Sequence, residues 1–93
     1  MRKRGDFVIR QGETAPALIF AAGPKTYDLI HLSGFVERLK QSWRDEQTRI
    51  ADEADFHGNR SYYIEQLTKE ADKAREERRT GARVKRGAIW PSR

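Results

Sequence analysis

The 93 residues carry 19 Lys and Arg against 14 Asp and Glu, and only 37% are hydrophobic, which suits one small domain with one core and not a deep cleft between two lobes. The absence of cysteine excludes disulfides, thiolate nucleophiles and cysteine-bearing zinc sites. No apolar run approaches the roughly 18–20 residues that span a bilayer, and the basic start Met1-Arg2-Lys3-Arg4 meets Gly5-Asp6 with no apolar leader behind it, so a cytoplasmic chain without membrane contact is expected.

Three short apolar runs come first: Asp6-Phe7-Val8-Ile9-Arg10, Ala17 to Ala22, and Tyr27 to Leu32. Glycine and turn residues separate them, at Gln11-Gly12-Glu13-Thr14 and at Gly23-Pro24, which reads as an antiparallel meander over residues 6–32. For residues 16–22 a short helix capped by Thr14 and stopped by Gly23 competes with the strand. Residues 7–18, Phe7-Val8-Ile9-Arg10-Gln11-Gly12-Glu13-Thr14-Ala15-Pro16-Ala17-Leu18, resemble the opening strand and turn of cyclic-nucleotide-binding domains. The resemblance implies a strand, a turn and a strand. That family's later phosphate-binding cassette has no counterpart in this sequence, so no ligand residue is carried over.

Leu32, Val36, Leu39, Trp43 and Ile50 then recur at steps of four, three, four and seven, one face of an amphipathic helix. The spacing predicts a helix from about Phe35 to Phe56, with Ser33 or Gly34 as N-cap, Glu37 in its first turn and His57-Gly58-Asn59 as its stop. A second helix is predicted from about Ser61 to Thr80, with Tyr63, Ile64, Leu67, Ala71 and Ala74 as its stripe. The narrowing of that stripe to two alanines means either close packing at its late end or departure from its partner there. The fold class expected is α+β: a small N-terminal antiparallel sheet packed on a two-helix antiparallel hairpin (residues 33–80), with a basic tail over residues 81–93, all in a single domain. Two long stripes exceed what three short strands cover, which leaves a homodimer through the helices open.

Charge is segregated along the chain. Residues 2–4 carry three cations, and residues 78–93 carry six (Arg78, Arg79, Arg83, Lys85, Arg86, Arg93) with no acid. The ten cations and fourteen acids of residues 5–77 give the body a net charge of −4. Terminal cations also serve solubility alone, and the two readings weigh about equally.

No Walker A loop, dinucleotide-binding glycine fingerprint or nucleophile elbow is present. Glu53 and His57 lie four apart, the spacing of a helical metal pair, but a site would need further ligands such as Asp52 or His31. A solvated helix end accounts for them more simply. The acids Asp45, Glu46, Asp52, Glu53 and Asp55 lack the apolar context that would raise one carboxyl for acid–base work and read as a solvated face. Of Tyr62 and Tyr63, adjacent on a helix, one must be at least partly exposed. Trp90, beside Ile89 in the basic tail, suits an anchor in a protein groove, or a base-stacking platform on nucleic acid.

These features point to a non-enzymatic binding or regulatory protein, with no cofactor and no metal, that occupies a surface on another protein or a protein–nucleic-acid complex. In size and composition it is similar to phage and mobile-element inhibitors of host machinery such as anti-CRISPR proteins. Arg78, Arg79, Arg83, Lys85, Arg86, Trp90 and Tyr62 are the expected contact residues. A direct nucleic-acid binder using Arg2, Lys3, Arg4 and the tail is the second reading, and a small enzyme using His57 and nearby acids the third.

Overall fold

The computed structural model describes residues 2–80. Five strands, β1 (Phe7–Arg10), β2 (Pro16–Ala22), β3 (Thr26–Ile30), β4 (Val36–Lys40) and β5 (Thr48–Ile50), form one antiparallel sheet in the order β4-β3-β2-β1-β5. A 3-10 turn (Gln41–Trp43) and a single helical turn α1 (Arg44–Gln47) carry the chain from β4 at one edge to β5 at the other. A second 3-10 turn (Glu53–Phe56) leads to a long helix, α2 (Arg60–Thr80).

The three N-terminal apolar runs are strands β1 to β3, and residues 16–22 are strand, not helix. Gly12 supplies the positive φ of 91° that the β1–β2 turn needs, where the Glu13 N–H donates to the Arg10 carbonyl at 2.8 Å. Alternation along the strands sorts the side chains onto two faces. Val8, Ala17, Ile19, Tyr27, Leu29 and Leu39 form one buried cluster. Leu18, Phe20 and Ile30 join Leu67, Ala71 and Ala74 of α2 in the other.

The sheet curls about the first cluster. Arg10 of β1 reaches Glu37 of β4 at 2.9 Å, although two strands lie between them. A flat sheet would hold those strands about 14 Å apart. The Tyr27 hydroxyl on β3 likewise meets Thr48 Oγ1 on β5 at 3.0 Å. A register shift in β2 between Ile19 and Ala21 adds local bend and twist. The product is a partly closed barrel of five strands with α2 laid on its outer face.

The expected two-helix hairpin is therefore corrected. Residues 36–40 are a strand, and Val36 and Leu39 fall on opposite faces of the sheet: Val36 packs toward the α2 cluster, Leu39 in the inner one. An odd separation does that in a strand, whereas a helix puts residues three apart on one face. Ser33-Gly34 belongs to a hairpin turn and not to a helix N-cap. Gly34 has φ 90°, its N–H donates to the His31 carbonyl at 2.8 Å, and the His31 N–H donates to the Phe35 carbonyl at 2.9 Å. That pattern is a type I turn closed by a left-handed glycine. Five cross-strand pairs, from Ile30↔Val36 to Thr26↔Lys40, then outweigh the high helix propensity of Glu37, Arg38, Leu39 and Lys40. Trp43 and Ile50, expected in the core, are 41% and 50% exposed. Val36 and Ile64 are half-buried, and Leu39 and Leu67 are buried as expected.

The second helix starts at Arg60, where the Asn59 carbonyl accepts from the Tyr63 N–H at 3.1 Å. Its alanines pack closely: Ala71 and Ala74 are fully buried against the cluster that holds Phe20. A small side chain at both positions brings the helix axis down onto a large ring.

Leu39→Ala should lose about 2–5 kcal/mol of stability, and Ile50→Ala about 1 kcal/mol or less. Urea titration of both variants checks this; a common helical stripe would have made the two losses similar.

Candidate functional site

The described part of the basic run is built into the fold. Asp28 lies on the helix-facing side of β3 with its side chain 4% exposed. Arg38, its cross-strand partner on β4, meets it through two hydrogen bonds, Nε to Oδ1 at 2.8 Å and Nη2 to Oδ2 at 3.2 Å. Arg78, in the last turn of α2, donates from Nη2 to Oδ2 at 2.8 Å. The Arg78 guanidinium also stands 4.8 Å over the Phe20 ring, beside Arg75 at 5.9 Å. Burial pushes the Asp28 carboxyl up, but the hydrogen bonds and charges of Arg38 and Arg78 together outweigh it and hold the group below its ordinary value. Around this clip lies a hollow of about 170 Å³ lined by Ala21, Ala22, Gly23, Thr26, Asp28, Arg38 and Arg78.

The other expected contact residues are placed as follows. Arg79 pairs with Glu76 one turn back on α2. Tyr62 is 56% exposed, its ring 5.6 Å from that of Tyr63 at an edge-on angle. Arg83, Lys85, Arg86 and Trp90 lie outside the described residues. At the N-terminal end Arg2 is a structural tie: Nε donates to Thr48 Oγ1 at 3.0 Å and Nη2 to the Thr48 carbonyl at 2.7 Å. Lys3 and Arg4 are exposed. Of the two sequence-based sets, the structure brings Arg78 and Arg79 together on the last turn of α2 and ties Arg2 to β5.

Of the groups weighed for chemistry, His57, Glu53, Asp52 and Asp55 are engaged elsewhere. His57 adopts the left-handed conformation that ends the 3-10 turn, and its Nε2 lies 3.0 Å from the Thr14 carbonyl. Glu53 pairs with Arg60 at 3.3 Å. Asp52 and Asp55 form a capping box, in which each side chain accepts from the other's backbone N–H. Two hydrogen bonds from Arg49, with the Asp52 N–H, hold the Asp55 carboxyl well below the usual carboxylate range. Among the described residues no group of three His, Asp or Glu is placed to hold a metal ion, and no helix is long and apolar enough to cross a membrane.

The sequence reading missed a second concavity, of about 500 Å³, between the β1–β2 turn and the β3–β4 hairpin. Its floor is a charged relay. Glu37 accepts from Arg10 Nε at Oε2, 2.9 Å, and its Oε1 lies 3.1 Å from His31 Nε2. Arg10 also reaches Gln47 Oε1 at 2.7 Å. The inward alternation of Arg10 with Val8 and of Glu37 with Leu39 was the available signal, and it is legible only when residues 36–40 are read as a strand. The Arg10, Glu37 and His31 side chains are each about one-fifth exposed. Each already has a partner, so the relay closes the barrel mouth first and offers polar edges to a ligand second.

The clip predicts an acid limb. Because the folded Asp28 carboxyl titrates below its ordinary 3.8, its stabilisation is complete above that value and is lost as pH falls through the folded one. The stability difference between the parent and Asp28→Asn should shrink as the pH drops below about 4, measured by urea titration across pH. For the relay, Glu37→Ala should cost about 1–3 kcal/mol by removing the carboxylate that joins Arg10 to His31, again by urea titration.

Comparison with known proteins finds no family model, no curated protein and no solved structure that matches the chain.

Proposed function

We propose that this chain is a non-enzymatic binding protein that occupies a surface on another macromolecule, a protein or a protein–nucleic-acid complex, as an inhibitor, adaptor or regulator. One observation carries the reading. A body of net charge −4 is followed by sixteen residues with six cations and no acid, and that run begins on a helix turn fixed to the sheet through Arg78 and Asp28. A rigid start gives the basic run a defined origin, so less ordering entropy opposes its docking. Its charge raises the association rate and selects acidic surfaces, with an effect that salt weakens. Arginine dominates the run, and its guanidinium pairs bidentately with carboxylate or phosphate. Exposed Tyr62 belongs to a separate surface, at the start of α2, and is the second contact expected.

The test is affinity capture of the tagged full chain from its native cell, with and without nuclease, beside a variant lacking residues 82–93. Deletion should leave the thermal unfolding of the sheet and α2 in place and weaken the captured complex at least about tenfold, ~1.4 kcal/mol. Undiminished capture by the truncated chain would move the contact surface to Tyr62 or to the cleft floored by Arg10, His31 and Glu37.

A further inference from the structure

We infer that the hollow between Arg38 and Arg78 is a docking point for a phosphate of a nucleic-acid backbone. The inference rests on the binding function proposed above and names the chemistry of its partner. Among the described residues Asp28 is the one acid that lines the hollow, and it faces two guanidiniums. One arginine suffices to neutralise a buried carboxylate; the second leaves the site with an excess positive charge. The excess is accessible, since the Arg38 side chain is 65% exposed and that of Arg78 36% exposed.

Both forks are preorganised. Arg38 spends Nε and Nη2 on Asp28, and Arg78 spends Nη2. Among the described residues Nη1 of Arg38, and Nε and Nη1 of Arg78, make no hydrogen bond. Asp28 and the Phe20 ring hold the groups in place before any ligand arrives, which lowers the ordering cost of binding. The shape also discriminates. The remaining wall is Ala21, Ala22, Gly23 and Thr26, small residues with one hydroxyl. A volume of about 170 Å³ takes a phosphate group with a few waters, each about 30 Å³. It offers no apolar slot for the aromatic or aliphatic anchor on which a protein interface depends. Shallow, cationic and hydroxyl-bearing is the character of a surface that positions phosphates. The chain leaving this end of α2 continues with Arg83, Lys85 and Arg86 and no acid, which suits a partner whose charges repeat.

The test is fluorescence anisotropy of a short labelled mixed-sequence DNA duplex, with its RNA counterpart in parallel, titrated with full-length protein across a salt series. Arg38→Gln leaves Arg78 to neutralise Asp28. It should weaken binding about three- to tenfold and reduce the slope of log affinity on log salt by about 0.9 for the duplex DNA. Lys69→Gln, an equal change in net charge on the exposed face of α2, should weaken it by no more than about twofold, through screened charge alone. Arg38→Lys keeps the charge and loses the fork; it should fall between the parent and Arg38→Gln, and it supplies the readout if the glutamine variant melts early. Equal weakening by Arg38→Gln and Lys69→Gln overturns the inference, because only net charge would then matter. So does an absence of salt-dependent duplex binding, or binding that poly-glutamate displaces and excess unlabelled duplex does not. If the duplex fails to bind while deletion of residues 82–93 still abolishes capture of the cellular partner, the phosphate inference falls and the binding function stands, with an acidic protein as the partner.

Discussion

A buried carboxylate bonded to two arginines ties the two layers of this protein together. Asp28 sits on β3, Arg38 on β4 and Arg78 on α2, so one side chain fastens the outer half of the sheet to the last turn of the helix. Apolar packing alone would leave that end weakly held. The α2 contribution to the core ends at Ala74, whereas the helix continues to Thr80. The polar clip secures the turn that packing does not reach. Breaking one partner of such a group leaves a buried charge short of hydrogen bonds, which costs far more than the intact pair contributes on its own.

A parallel device closes the other side. Arg10, Glu37 and His31 bridge β1, β4 and the β3–β4 hairpin, and Tyr27 with Thr48 and Arg2 ties β3, β5 and the N-terminal segment. The inner cluster is small, built from Val8, Ala17, Ile19, Tyr27, Leu29 and Leu39, and a sheet this short could splay open at its unpaired edges. Charged pairs at the barrel mouth resist that motion and also discourage edge-to-edge pairing with other chains. The high charged fraction of the sequence is thus only partly a solvated surface; several of its charges are internal fasteners.

The β1–β3 strands and α2 were legible because local signals agree there: apolar runs bounded by glycine and proline, and a stripe of Leu67, Ala71 and Ala74 at helical spacing. Residues 35–56 misled because Val36, Leu39, Trp43 and Ile50 fit a helical period by coincidence. In the fold those four residues take four different environments: half-buried toward α2, buried in the inner cluster, and exposed on a 3-10 turn and on an edge strand. Ser33-Gly34 fits a helix start and a hairpin turn equally well, and only the pairing of β4 with β3 decides between them. The candidate site was legible in part. Charge segregation picks out Arg78 and Arg79 from the sequence alone. The partnership of Arg78 with Asp28 and Arg38 spans fifty and ten positions and becomes visible only once β3, β4 and α2 are assembled.

Central to this fold is the Asp28 clip, the fastener of the last turn of α2. Amide hydrogen exchange of the full-length parent and of Asp28→Asn, read residue by residue along α2 at neutral pH, tests that most directly. Protection should be lost only in the last turns, around Arg75 to Arg79, and retained near Leu67, because the apolar stripe there is untouched. Equal protection of the last turns in both proteins would contradict it, and would leave Asp28 a neutralised buried acid with no part in holding the helix to the sheet.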